Sequence, residues 1–192
     1  GASAAFVTTG GTSFTLNNNG NFNPNGSGNS YVGQTGTISS KVEWTGPTPT
    51  TWNFEYIGKE AGFNNAFQFT NGNNGWNTIF TTGGSSPSPS PSATASSSVP
   101  SFAFSFLSNS REETRITNMN NPVNAPSFWA QVSGDGNSLV LWFSDGGGGD
   151  DRDFDDMGVK ISASAVPIPA ALPLFLSALA GLGMLGFSRR AV

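Results

Sequence analysis

The 192-residue chain has no cysteine and no histidine. Without cysteine there is no disulfide framework, so whatever stability it has outside a cell must come from packing or bound ions. Without histidine, a Ser-His-Asp triad, a Cys-His dyad and the usual zinc sites are excluded. Charge is scarce too: 8 Lys and Arg stand against 12 Asp and Glu. There is no basic patch to meet phosphates, which argues against a nucleic-acid partner. Long aliphatic helix formers are few before the last 27 residues, and no soluble helix is expected.

What is present is glycine, asparagine, serine, threonine and aromatic residues, a composition of short strands and many turns. Apolar residues alternate with polar ones at Phe14 and Leu16, Val42 and Trp44, Trp52, Phe54 and Tyr56, Phe67 and Phe69, and Phe102, Phe104 and Phe106. That period puts each set on one face of a half-buried sheet. Trp76 to Thr82 follows an Asn/Gly turn as another candidate strand. Phe128 to Val132 and Leu139 to Ser144 flank Ser133-Gly-Asp-Gly-Asn-Ser138, the clearest hairpin signal. Val159 and Ile161 close the series. About nine or ten strands predict an all-β antiparallel β-sandwich, jelly-roll-like, over residues 1–165. Ser85 to Ser98 (SSPSPSPSATASSS) reads as a long hydrated loop inside this one domain. Residues 166–192 form a separate tail.

Ile168 to Phe187 carries no charge, and Arg189 and Arg190 follow at once. About twenty helical residues span roughly 30 Å, the thickness of a hydrocarbon core, and a basic pair sits best on the cytoplasmic side. The run predicts one C-terminal transmembrane helix, with the β-rich part in the periplasm or beyond. Ser177 and Gly181 form a small-xxx-small pair that would let other transmembrane subunits approach closely. Ala2-Ser3-Ala4 is read as the small-residue end of a processed secretory signal.

The candidate sites are few. Between Asp145 and Asp156 lie six carboxylates: Asp145, Asp150, Asp151, Asp153, Asp155 and Asp156. They repel one another unless solvated or neutralised. The one-three-five spacing of Asp151, Asp153 and Asp155 turns successive oxygens toward a common centre, as calcium prefers. The EF-hand pattern is not met: its sixth position falls on Asp156 instead of Gly, and its twelfth on Ser162 instead of Glu. Phe154 is expected as a core plug between the aspartates. Trp44, Trp52 and Trp142 read as packing residues, whereas Trp76 is the candidate for exposure at a loop tip and for stacking on a glycan. Arg111 to Arg115 (REETR) reads as a solvated turn or short helical turn. No spacing of glutamates singles out a hydrolytic pair, and no enzyme is expected.

Val166-Pro167-Ile168-Pro169-Ala170, the apolar run and Arg189-Arg190 together resemble the PEP-CTERM sorting signal in its VPLPA-type variant. Ile168 stands where that variant usually has Leu. The resemblance covers the last 27 residues. It implies a secreted protein of a Gram-negative bacterium that makes exopolysaccharide, recognised at Val166 to Ala170 by an exosortase-type membrane protease. Asp151 to Ile161 (DRDFDDMGVKI) resembles the D-x-D-[FY]-[DN]-D stretch before a closing strand in many such surface proteins, and adds to the calcium reading. The expectation is therefore a non-enzymatic exported protein, a structural or adhesive component of the envelope or extracellular matrix. The alternatives are an accessory single-pass subunit of a membrane complex and a carbohydrate-binding module. The location expected is the inner membrane with a periplasmic N-terminal domain, from which release to the surface would follow.

Overall fold

A computed structural model describes residues 4–17, 25–46, 50–83, 93–146 and 152–165. Within them the chain is all-β, and every strand pairing is antiparallel. The large sheet is ordered β2 (Thr12–Thr15), β4 (Thr35–Ile38), β12 (Ser127–Val132), β13 (Ser138–Ser144), β14 (Met157–Ala165), β6 (Thr50–Lys59) and β3 (Asn25–Gly26), and β9 (Thr94–Ser97) also pairs with β6. A smaller sheet is ordered β11 (Ile116–Thr117), β10 (Phe104–Leu107), β7 (Ala66–Thr70) and β8 (Trp76–Thr81). A two-stranded ribbon pairs β1 (Phe6–Thr9) with β5 (Lys41–Trp44).

Period-two alternation decides which side chains meet. Trp52, Phe54 and Tyr56 of β6, Leu139, Leu141 and Phe143 of β13, and Val159 and Ile161 of β14 share one face of the large sheet. Phe67, Phe69, Phe104 and Phe106 of the small sheet pack against them in the same buried cluster. The Phe106 and Phe143 rings stack across the layers, centroids 4.8 Å apart and planes 5° from parallel. Each such aromatic contributes about 1.5–3 kcal/mol by leaving water, which is how a domain without disulfides holds its two layers. Phe6 and Val42 bring the ribbon onto the same core.

The intervening residues build a second cluster on the opposite face of the large sheet. It contains Leu16, Ile38, Ile57, Trp129, Val140, Trp142 and Phe154, partly covered by Phe14, Tyr31 and Val32. Strands β12 and β13 are thus apolar on both sides. The two indoles need room, and glycine supplies it. Gly158 lies opposite Trp142 in the register, and a Cβ there would stand 2.4 Å from the Trp142 ring. A Cβ on Gly36 would stand 2.5 Å from Trp129. The Trp129 indole N–H donates to the Phe14 carbonyl at 2.9 Å.

The expected hairpin at Ser133 to Ser138 forms, with Asp135 accepting from Ser133 Oγ and from the Asn137 N–H. These bonds to the ionised form hold the Asp135 carboxyl below its ordinary range, Ser133 being the largest cause. Three expectations change. The Ser/Pro-rich stretch ends in a strand: Thr94–Ser97 pairs with β6, because residues that cannot form a core can still complete an edge ladder. Trp76 is the first residue of β8 and not the tip of a loop; the turn before it is closed by Asn71, whose side chain accepts from the Asn73 and Gly75 N–H groups. The REETR stretch forms the expected short helical turn, a 3-10 turn at Glu112–Thr114, and departs from expectation at one residue. Its Arg115 lies across the small sheet instead of extending into solvent, bonded to Gln68, Ser105 and Glu112.

The tail, including the expected helix from Ile168 to Phe187, lies outside the described residues. Among those described, no helix is long and apolar enough to cross a membrane.

Candidate metal centre

Strands β13 and β14 are sheet neighbours, with Phe143 opposite Met157. The acidic stretch is therefore the connection between two paired strands, and its two ends must meet. The Asp156 N–H donates to the Phe143 carbonyl at 3.1 Å. The Asp145 N–H donates to Asp156 Oδ2 at 2.7 Å. The first and last carboxylates of the stretch are thereby brought to one place.

Over its last described residues, from Arg152, the backbone is folded tightly. Arg152 has φ of 50° and Phe154 of 57°, left-handed values that side chains with a Cβ rarely adopt. What holds Phe154 there is its ring, which is 1% exposed and lies in the second cluster, edge-on to Phe14 with centroids 5.3 Å apart. The expected plug is thus in place. With Phe154 drawn inward, Asp153, Asp155 and Asp156 each bring one carboxylate oxygen within 4.8 Å of the others. Asp155 is 2% exposed and Asp145 5%. Asp150 and Asp151 lie outside the described residues, so the trio is Asp153, Asp155 and Asp156, with Asp145 beside it.

The electrostatics follow from the burial. The Asp156 carboxyl is pushed up to about 9, first by desolvation and then by the carboxylates of Asp145, Asp153 and Asp155, against the opposing bond from the Asp145 N–H. Without a counter-ion, a proton is the cheapest way to relieve the site. A divalent cation is the other. All donors are hard carboxylate oxygens, suited to calcium or magnesium and not to softer metals. Two oxygens on opposite sides of a calcium ion stand roughly 4.6–5.2 Å apart, so the observed spacing fits a shared ion.

One supporting residue has no signal in the sequence. Asn65, wholly buried, donates from Nδ2 to Asp145 Oδ2 at 2.6 Å. Its own N–H reaches Thr82 Oγ1 at 2.8 Å, and its Oδ1 accepts from the Asn109 N–H at 3.0 Å. It lies 80 residues from Asp145 in the chain, within an ordinary Asn-Asn pair. On the other side, Arg152 donates to Asn124 Oδ1 at 2.8 Å, and the Glu60 N–H donates to the Asp155 carbonyl at 2.7 Å. The acidic stretch is thus tied to three other parts of the chain.

The other sequence candidates lie apart. Trp76 is half-buried, with the Arg115 guanidinium over its ring at 4.9 Å, so one face is already taken by a cation. The sorting motif Val166 to Ala170 and the basic pair Arg189 and Arg190 lie outside the described residues. Compared with known proteins, the chain matches no family model, no curated protein and no solved structure.

Proposed function

We propose that this is a non-enzymatic exported surface protein. A jelly-roll-like β-sandwich faces the periplasm or beyond, and the C-terminal segment serves as a transmembrane helix and sorting signal for an exosortase-type protease. The role is structural or adhesive, in the envelope or extracellular matrix. The observation that carries this reading is in the tail: a VPIPA motif, twenty uncharged residues and a basic pair, in that order. The β-rich part supports it in kind. It has no thiol to oxidise, and a core of closely packed aromatics stands in place of disulfides as its source of stability.

In this reading the acidic stretch is a structural ion site. Asp153, Asp155 and Asp156, with Asp145, hold calcium, which neutralises them and locks the connection between β13 and β14. Carboxylates as buried as Asp145 and Asp155 suit holding an ion better than meeting a substrate.

The test is to isolate the native protein from membranes and from the exported fraction, and to measure intact masses. The expected result is a full-length membrane form and an exported form ending between Val166 and Ala170. A protein that keeps all its residues and copurifies with a larger assembly would instead be an accessory membrane subunit. A full-length form that is freely water-soluble without detergent overturns the membrane reading altogether.

A further inference from the structure

The outer face of the large sheet carries the second apolar cluster. Beside that cluster, where β14, β6 and β9 run together, lies an open groove of about 450 Å3 that the ion site does not use. Its polar lining is Asn53 and Glu55 of β6, Lys160 and Ser162 of β14, and Thr94 and Ser96 of β9. All six project away from the core, because their neighbours Trp52, Phe54, Val159 and Ile161 project into it. The volume is within the range of small-molecule sites.

Glu55 and Lys160 stand directly opposite each other in the register. Opposite charges so placed ordinarily join, yet these form no salt bridge with each other. The groove thus offers an acceptor-only carboxylate, a donor-only ammonium, and three hydroxyls and an amide that do both. A ligand of either net charge would be attracted by one of the two and repelled by the other. A neutral ligand whose own groups both donate and accept suffers no such conflict, and vicinal hydroxyls match the arrangement. Tyr31 lies outside this lining, over the second cluster. Its ring lies edge-on to Trp142 at 5.9 Å. Its hydroxyl is near enough to Glu55 that the carboxylate, after burial, adds to raising the phenol pKa. The polar groups sit on three hydrogen-bonded strands, so little order remains to be imposed on binding.

We propose that this groove binds a neutral polyhydroxylated ligand, one stretch of an uncharged polysaccharide, with Glu55 and Lys160 bridging adjacent hydroxyls. The site is separate from Trp76 and stands independently of the export reading.

The test uses the full 192-residue chain in a detergent without a sugar headgroup, which would compete. Cellohexaose, maltohexaose and mannohexaose are titrated by calorimetry and saturation-transfer NMR, with glycine betaine as a zwitterionic probe. At least one hexasaccharide should bind with a Kd below about 10 mM. Glu55→Gln and Lys160→Gln should each weaken it by at least about tenfold, and Ser96→Ala by a smaller factor. Melting temperatures should stay within about 2 °C, because none of the three side chains lies in a core cluster. The proposal is overturned if no hexasaccharide binds, if glycine betaine alone binds, or if sugar binding survives both charge variants. Should a charge variant melt early, chemical-shift changes at the Ser96 and Ser162 amides of the unaltered chain decide, and their absence on titration also overturns it.

Discussion

Phe154 joins the fold to the acidic site, and replacing it tests that coupling. Its ring is 1% exposed and in contact with Phe14. Truncating a buried phenylalanine to alanine costs about 3–5 kcal/mol, partly from lost transfer and partly from the cavity left behind. For a domain of this size about 1 kcal/mol moves the midpoint by roughly 2–4 °C, so Phe154→Ala should melt about 6–20 °C lower by circular dichroism. A cavity alone does not identify the reason, so the series continues. Phe154→Leu should lose less than Ala. Phe154→Gly loses the same ring but removes the left-handed strain at φ of 57°, worth about 1–2 kcal/mol, against a glycine entropy cost of about 0.5–1 kcal/mol. Gly should therefore be as stable as Ala or slightly more so, the reverse of the usual order. An Ala variant melting within about 2 °C of the parent, or a Gly variant clearly below Ala, would refute the argument that the ring holds the turn.

Three further outcomes follow from the same geometry. Gly158→Ala should cost about 1–3 kcal/mol by overpacking, because its Cβ would meet Trp142 at 2.4 Å; Trp142→Leu in the same chain should restore part of the loss, read by thermal melting. Chelation should lower the melting temperature of the parent, and Asp153→Asn with Asp155→Asn should abolish that response; an unchanged melting curve with chelator ends the calcium reading. The third outcome is a pH profile. The folded Asp156 carboxyl is held at about 9, above its unfolded value of 3.8, so the folded state binds the proton more tightly. Its contribution is full below the unfolded value and is lost as pH rises toward 9. In chelator, stability should therefore fall across that window, and saturating calcium should flatten the profile. A profile that rises through the window, or is equally steep with calcium, contradicts the burial argument.

Much of the large core was legible in the chain because its strands face it on one side only. Trp52, Phe54 and Tyr56, or Phe104 and Phe106, announce their common face by alternation alone. The second cluster was legible only in part: Leu16, Trp142 and Phe154 read as packing residues, but that they share a face with Trp129 and Val140 did not show, since a strand buried on both sides shows no alternation. The strands Thr35–Ile38 and Thr94–Ser97 are mostly threonine, serine, glycine and alanine; they exist because a neighbour needs its hydrogen bonds completed, which composition does not display. The approach of Asp153, Asp155 and Asp156 to one another was readable because they are close in sequence, while Asp150 and Asp151 lie outside the described residues. Asn65 was not, because its contact with Asp145 depends on strand order, which no local pattern encodes. The Glu55–Lys160 groove is hidden for the same reason: its walls come from stretches more than a hundred residues apart.

Strand β14 is the last described element, and Ala165, where it ends, is still matched with Thr50. It is paired with β13 from Met157 to Ser162 on one side and with β6 from Gly158 to Ala165 on the other. A tension applied to the polypeptide past Ala165 is therefore not met by peeling away a border ribbon. It loads the β6 ladder first, over Ala163–Ala165, and from Ser162 inward the β13 ladder as well. Such a tether would transmit mechanical stress from its attachment into the middle of the domain, and would yield only when the whole sheet does.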